Sequence, residues 1–240
     1  MDFLDVNTCF GALPDRSFDI SASMLDELLE KEGIAQAVTA SLAGAYLGAE
    51  EGNIETLEAC EDHPRLLPAA TVDPRSYFGK GDVVLKAREQ GFVMLRLFNR
   101  AQKWPLHFSP VEVIFEEAGE AGLPVMLDAV DFGDVTRACQ LSAVTETPVV
   151  MTGVDMERLS EVIVCMTEYP RLHIDTSLLA TADGLKILCE EGRPEGILFG
   201  TGAASACVGS ARLTLLTAPI SDEDRRNIAS LNTLRLLGTP

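Results

Sequence analysis

Short apolar runs with strand character recur along this chain at intervals of roughly 25 to 35 residues, each followed by a segment with helical period. The runs cover residues 3–7, 35–41, 66–72, 92–98, 124–129, 148–152, 172–177 and 196–201. The intervening segments carry their apolar residues on one face: Met24, Leu25, Leu28 and Leu29; Val111, Ile114, Phe115 and Ala118; Leu159, Val162, Ile163 and Met166. Their other faces are acidic. Ser221 followed by Asp224 reads as a capping box for a last helix that ends near Leu237 and stops at Gly238. Parallel strands need both faces covered and right-handed crossovers, so eight such units with no linker or composition break predict one closed barrel. The expected fold is α/β, a single (β/α)8 TIM barrel spanning residues 1–240.

Composition supports that size. A chain of 240 residues at 47% hydrophobic content buries one large core, although it is slightly short for a barrel of about 250 residues. With 37 acidic against 19 basic residues, the net charge of −18 repels phosphate backbones and anionic lipid, so neither nucleic acid nor membrane is an expected partner. Cys9, Cys60, Cys139, Cys165, Cys189 and Cys207 form no Cys-x-x-Cys pair and read as buried free thiols of a reducing compartment. The chain enters a strand directly after Met1-Asp2, without a basic leader, and the apolar stretch 196–211 is too short to span a bilayer. A cytoplasmic location is expected.

In a (β/α)8 barrel the working residues stand at the carboxyl ends of the strands and in the loops that follow. The candidates are therefore Asn7, Cys9, Ser41, Asp73, Arg96, Arg100, Asp128, Asp131, Thr152, Asp155, Asp175, Ser177, Thr201 and Gly202.

Several motifs in this frame carry a resemblance. Asp5-Val6-Asn7-Thr8-Cys9-Phe10-Gly11 is similar to an Asp-x-His-x-His-x-Gly opening, and Val72-Asp73-Pro74 to a Val-x-Pro turn. Gly91 to Leu97 resembles Gly-x-x-Gly-x-Lys-Leu with Arg96 for lysine, His173 to Ser177 ends as Asp-x-Ser, and Leu198-Phe199-Gly200-Thr201-Gly202 resembles Leu-Phe-Gly-Ser-Asp. The stretch from Ile228 to Leu237, with Asn232, resembles a closing Ile-x-x-x-Asn-x-x-x-Leu-Leu. Together they resemble the amidohydrolase superfamily, in the amidohydrolase 2 branch that contains aminocarboxymuconate semialdehyde decarboxylase. The resemblance implies metal ligands at five places. Here Asn7 and Cys9 replace the paired histidines, Asp128 the fifth-strand histidine, Met151 or Thr152 the sixth-strand histidine, and Gly202 the eighth-strand aspartate. A catalytic metal usually takes three protein ligands, so no resident metal or other cofactor is expected.

Four chemistries remain open. Arg96, Arg100 and Lys103, with the backbone of the run from Gly200 to Ser205, could hold a carboxylate or phosphate. Asp128, or one of Asp131, Asp155 and Asp175, could act as general base on water while Arg96 or Arg100 polarises a carbonyl. Cys9 as nucleophile would need an imidazole that His63, His107 and His173 do not obviously supply. A rebuilt metal site would use Cys9, Asp128 and either Asp155 or Asp175. The preferred expectation is a metal-independent hydrolase of a small anionic lactone, ester or amide. In it Asp128 and Arg96 are catalytic, and Asn7, Cys9, Arg100, Asp175, Thr201 and Gly202 contact the substrate. The alternatives are a catalytically silent homologue that binds a small anionic metabolite or partner subunit, and a metal-dependent hydrolase or decarboxylase. Helix-flanked barrels often associate, so a homo-oligomer is also expected.

Overall fold

A computed structural model describes residues 1–14, 18–78, 82–179, 181–203 and 205–238. Its strands are β1 (Phe3–Leu13), β2 (Phe18–Ile20), β3 (Ile34–Ser41), β4 (Leu66–Thr71), β5 (Met94–Arg96), β6 (Val125–Asp128), β7 (Val149–Thr152), β8 (Leu172–Asp175) and β9 (Ile197–Leu198). The hydrogen-bonded order is β2-β1-β3-β4-β5-β6-β7-β8-β9. Every pair is parallel except β1 with β2, where Gly11 faces Ile20 and Leu13 faces Phe18.

The chain just after β9 returns to β1. Val6 N–H donates to Phe199 O at 2.8 Å, Gly202 N–H to Asn7 O at 3.0 Å and Cys9 N–H to Ala203 O at 2.5 Å, and Thr8 bridges Ala203 in parallel. These bonds close the sheet into the expected (β/α)8 barrel, leaving β2 as an extra strand at its mouth. All eight expected strands are present. One expectation is corrected: β1 does not end at Asn7 but runs on to Leu13, so Asn7 and Cys9 project from a strand and not from a loop.

Alternation along each strand separates two apolar layers. Leu4, Val6, Val38, Ala69, Met94, Met126, Val150 and Leu198 point into the barrel. Ile34, Ala37, Leu95, Leu127, Met151 and Ile174 point outward, against Leu25 and Leu29 of helix Ala22–Lys31, Ile114 and Phe115 of helix Pro110–Ala121, and Val162 and Met166 of helix Leu159–Glu168. Met24, expected on the packed face of its helix, is exposed. Cys139 and Cys165 are buried thiols as expected, whereas Cys207 is exposed.

A bulge in β1 shapes the site. Asp5 pairs with Ala37 and Thr8 with Thr39, so β1 uses three steps where β3 uses two. The extra residue reverses the alternation: Leu4 and Val6 enter the barrel core, and then Asn7 and Cys9 line the mouth. Asp5, fully buried, fills the bulge. Its Oδ1 accepts the N–H groups of Asn7 and Thr201, both at 3.0 Å, and its Oδ2 accepts the Thr201 hydroxyl at 2.5 Å. One carboxyl group thereby pins β1 to the segment after β9.

The last helical stretch runs from Asp222–Arg226 through a wider turn at Asn227–Leu231 to Asn232–Leu237, and stops at Gly238 with φ 68°. Ser221 Oγ accepts the Asp224 N–H at 3.0 Å, as capping requires, but its hydroxyl also donates to the Asp224 carboxylate at 2.6 Å, which replaces the reciprocal half of the expected box. Asn232 donates to Ile197 O at 2.8 Å and fastens this stretch to the base of β9. No helix among the described residues is long and apolar enough to cross a membrane.

Candidate functional site

A cavity of about 360 Å³ opens at the carboxyl ends of the strands. Asn7 and Cys9 of β1, Arg96 of β5, Asp128 of β6, Thr152 of β7 and Gly202 line it, with Leu13, Leu42, Tyr46, Phe98, Arg100 and Lys103 above them. Strand register explains the grouping. Asp128 lies directly beside Thr152, and Arg96 beside Met126, one inward position below Asp128. A larger cleft of about 680 Å³ lies outside the barrel mouth, between helices Ala49–Asp62 and Val83–Glu89, and takes in only Asp73 of the expected residues. There Asp73 pairs with Arg75 at 2.7 Å.

Arg96 stands at the centre of the cavity floor. Its Nη2 donates to Asp128 Oδ1 at 2.7 Å and its Nη1 to Leu97 O at 2.8 Å, while its guanidinium lies 4.6 Å from the centre of the Phe98 ring. Burial works against its charge, and Asp128 more than offsets this, so its pKa is raised. Thr152 Oγ1 donates to the same Asp128 oxygen at 3.0 Å. The Asn99 amide holds the Asp128 backbone from both sides, at 2.8 Å to its carbonyl and 2.8 Å from its N–H. Asn99 escaped the sequence reading, although its place directly after β5 was a signal.

The second cluster lies beneath the first. Asn7 Nδ2 donates to Asp175 Oδ2 at 2.7 Å. Burial pushes the Asp175 carboxyl up to about 6, against the opposing pull of Asn7, Ser177 and Arg96. Burial likewise raises Asp5 to about 7, against its bonds from Thr201 and Asn7. Cys9 is driven up to about 11 by burial, partly countered by Arg96, so its sulfur remains a thiol at neutral pH.

Of the expected site residues, the structure gathers Asn7, Cys9, Arg96, Arg100, Asp128 and Gly202 on one wall. Asp175 and Thr201 are buried behind it, turned toward Asn7 and Asp5. Asp155 caps the turn Met156–Arg158 and pairs with Arg158 at 2.6 Å, Ser41 bonds Glu55, and the Asp131 N–H donates to Asp134. The run from Gly200 to Ser205 does not open a helix; the next one begins at Val208. Ala204 lies outside the described residues. In the rest of the run the N–H groups of Gly200, Thr201, Gly202, Ala203 and Ser205 all donate within the protein, so none points to a ligand. Arg100 Nη2 donates to Ala129 O at 2.8 Å, and Lys103 is exposed on the rim.

The side chains at the five implied ligand positions do not compose a cage for a divalent ion. Asn7 is turned to Asp175, Thr152 and Arg96 share one oxygen of Asp128, Cys9 is a thiol, and Gly202 has no donor side chain. Among the described residues no group of three or more His, Cys, Asp or Glu stands ready to hold a metal. Cys9 also has no imidazole on its wall to serve as base.

Neither a family model nor a curated relative matches the sequence. Solved structures do match. The crystal structure of 5-carboxyvanillate decarboxylase from Sphingomonas paucimobilis superposes with a TM-score of 0.79 at 13% identity, over 100% of this chain and 99% of that one. A dihydroxybenzoic acid decarboxylase from Polaromonas sp. JS666, solved with bound manganese and the inhibitor 2-nitroresorcinol, gives 0.76 at 14%, over 99% and 97%. An amidohydrolase II structure gives 0.72 at 13%, over 99% and 100%. The fold is a TIM barrel, as in these structures. At these identities the likeness speaks for architecture, and chemistry has to be argued from the residues.

Proposed function

We propose that the protein binds a compact, ring-sized carboxylic acid at the barrel mouth and catalyses loss of its carboxyl group as CO2. The observation that carries this reading is the small cavity with Arg96 on its floor and Arg100 and Lys103 above, in a chain whose net charge is −18. A volume of about 360 Å³ suits a single substituted ring. Two of the structural neighbours are named as decarboxylases, which favours this reaction over the hydrolysis preferred from sequence. Asp128 Oδ1 accepts from both Arg96 and Thr152, an arrangement that suits a carboxylate holding the guanidinium in place.

In this reading Arg100 and Lys103 attract and orient the anionic substrate. Protonation of the ring carbon that bears the carboxylate, with electrons drawn from an ortho oxyanion, gives a dienone. Breaking its C–CO2 bond returns that electron pair through the ring to the ortho oxygen, and the Arg96 guanidinium is the fixed positive charge that stabilises it there. Asp128 holds Arg96 in place. Cys9, a thiol on the same wall, gives that proton to the carbon before the carboxyl group leaves, and its thiolate is reprotonated from water in the open cavity. Apolar surface from Leu13, Leu42 and Phe98 gives neutral CO2 an exit.

The test is CO2 release from dihydroxybenzoates and 5-carboxyvanillate, with chelator present and, separately, with added Mn²⁺. Release in chelator, abolished by Asp128→Asn, supports the reading. Release only with Mn²⁺ would restore the metal-dependent alternative. A second reading, a binder without turnover, is favoured by one observation: the polar side chains of Asn7, Asp128 and Thr152 are already bonded within the protein. Binding of the same acids without CO2 in either condition would establish it.

A further inference from the structure

Four ionisable Asp and Arg side chains are buried among the described residues, namely Asp5, Arg96, Asp128 and Asp175, and all four meet at one end of the barrel. Three are acids. Arg96 is the buried base beside two of them: it pairs with Asp128 at 2.7 Å, and its charge is felt by Asp175 and by Cys9. Asp175 Oδ1, fully buried, has no hydrogen-bond partner. A buried carboxylate without a counter-charge is costly, so a fixed cation nearby favours the ionised form of this group.

We infer that the Arg96 guanidinium is a tethered counter-ion for this acidic nest, occupying a place that becomes a site for a free small cation once the side chain is removed. The surroundings fit that role. Asn7, Cys9, Asp128 and Thr152 share the wall with the guanidinium, and Phe98 covers its face as an aromatic ring covers a cation. An arginine charge cannot be titrated away at any pH the fold tolerates, so one positive charge is held against these acids without loading from solution. The inference rests on charge balance and stands apart from the reaction proposed above.

The experiment is thermal unfolding of the full chain and of Arg96→Ala, each with millimolar methylguanidinium, with sub-millimolar Mn²⁺, or with sodium chloride at equal ionic strength. Arg96→Ala should lower Tm by on the order of 10 °C, as breaking a buried pair does in a chain of this length. Methylguanidinium should restore a large part of that loss in the variant, leave the parent protein unmoved, and exceed the effects of sodium chloride and of Mn²⁺, for which these side chains compose no cage. Absence of cation-specific recovery in folded Arg96→Ala would overturn the inference. Arg96→Ala/Asp128→Asn, which removes both charges, should unfold at a higher temperature than Arg96→Ala and lose most of the cation response. If the double variant is no better folded than the single one, the counter-ion role is refuted, and this comparison decides the matter even if Arg96→Ala does not fold.

Discussion

Asp5→Asn should remove a pH-dependent weakness from the barrel seam. Burial raises the Asp5 carboxyl to about 7, whereas an unfolded chain releases that proton near pH 3.9. Between those values the folded state holds a proton that the unfolded state has lost, so stability falls as pH rises through the window and levels off above it. From pH 5 to pH 8, past the folded pKa, this amounts to about two units at 1.36 kcal/mol each, about 2.7 kcal/mol. The asparagine amide keeps the shape of the protonated acid: its oxygen can still accept the Asn7 and Thr201 N–H groups, and its NH2 can face Thr201 Oγ1. Urea unfolding of both proteins at pH 5 and pH 8 gives the comparison. The parent should lose about 2.7 kcal/mol more than the variant between the two. Asp175, raised to about 6, adds a slope of the same sign, and His173, depressed to about 3 by burial, adds the opposite one below pH 6.5, but both are present in both proteins and cancel. Equal slopes for the two proteins would refute the account of Asp5.

Three further outcomes follow from single contacts. Gly52→Ala would place a Cβ 2.2 Å from Gly44 N and 2.3 Å from Gly44 Cα, a clash with backbone, so stability in urea should fall by about 2 kcal/mol or more. Arg100→Ala should weaken benzoate binding about tenfold in calorimetry, equivalent to about 1.4 kcal/mol, with little change in Tm because its one described bond is to Ala129 O. Ser21→Ala removes the Oγ that accepts the Met24 N–H at 3.2 Å and should cost about 1 kcal/mol in urea unfolding.

The barrel was legible because apolar alternation and the recurrence of strand-like runs are local signals. The long β1 was not, since its bulge between Asp5 and Thr8 reverses that alternation and mimics the end of a strand. The three-residue β2 is too short to carry a period at all. At the site, Arg96 and Asp128 stood out singly from their places at strand ends. Their pairing across 32 positions is set by the β5–β6 register, which no local pattern reports. Asp175 and Thr201 were expected at the ligand for the same positional reason, yet the bulge turns Asn7 and Asp5 toward them and draws both into the wall. The run from Gly200 to Ser205 looked like an anion cradle because it is rich in glycine, but among its described residues closing the barrel against β1 occupies part of that backbone, and Asp5, Thr176 and the turn itself take the other N–H groups.

The account turns on an arginine-centred site in a fold that elsewhere carries manganese. Its most direct test is the metal content of the full chain purified without chelator and without added metal, measured by plasma mass spectrometry. Far less than one transition-metal ion per chain is predicted. One ion per chain, lost on Asp128→Asn, would contradict it.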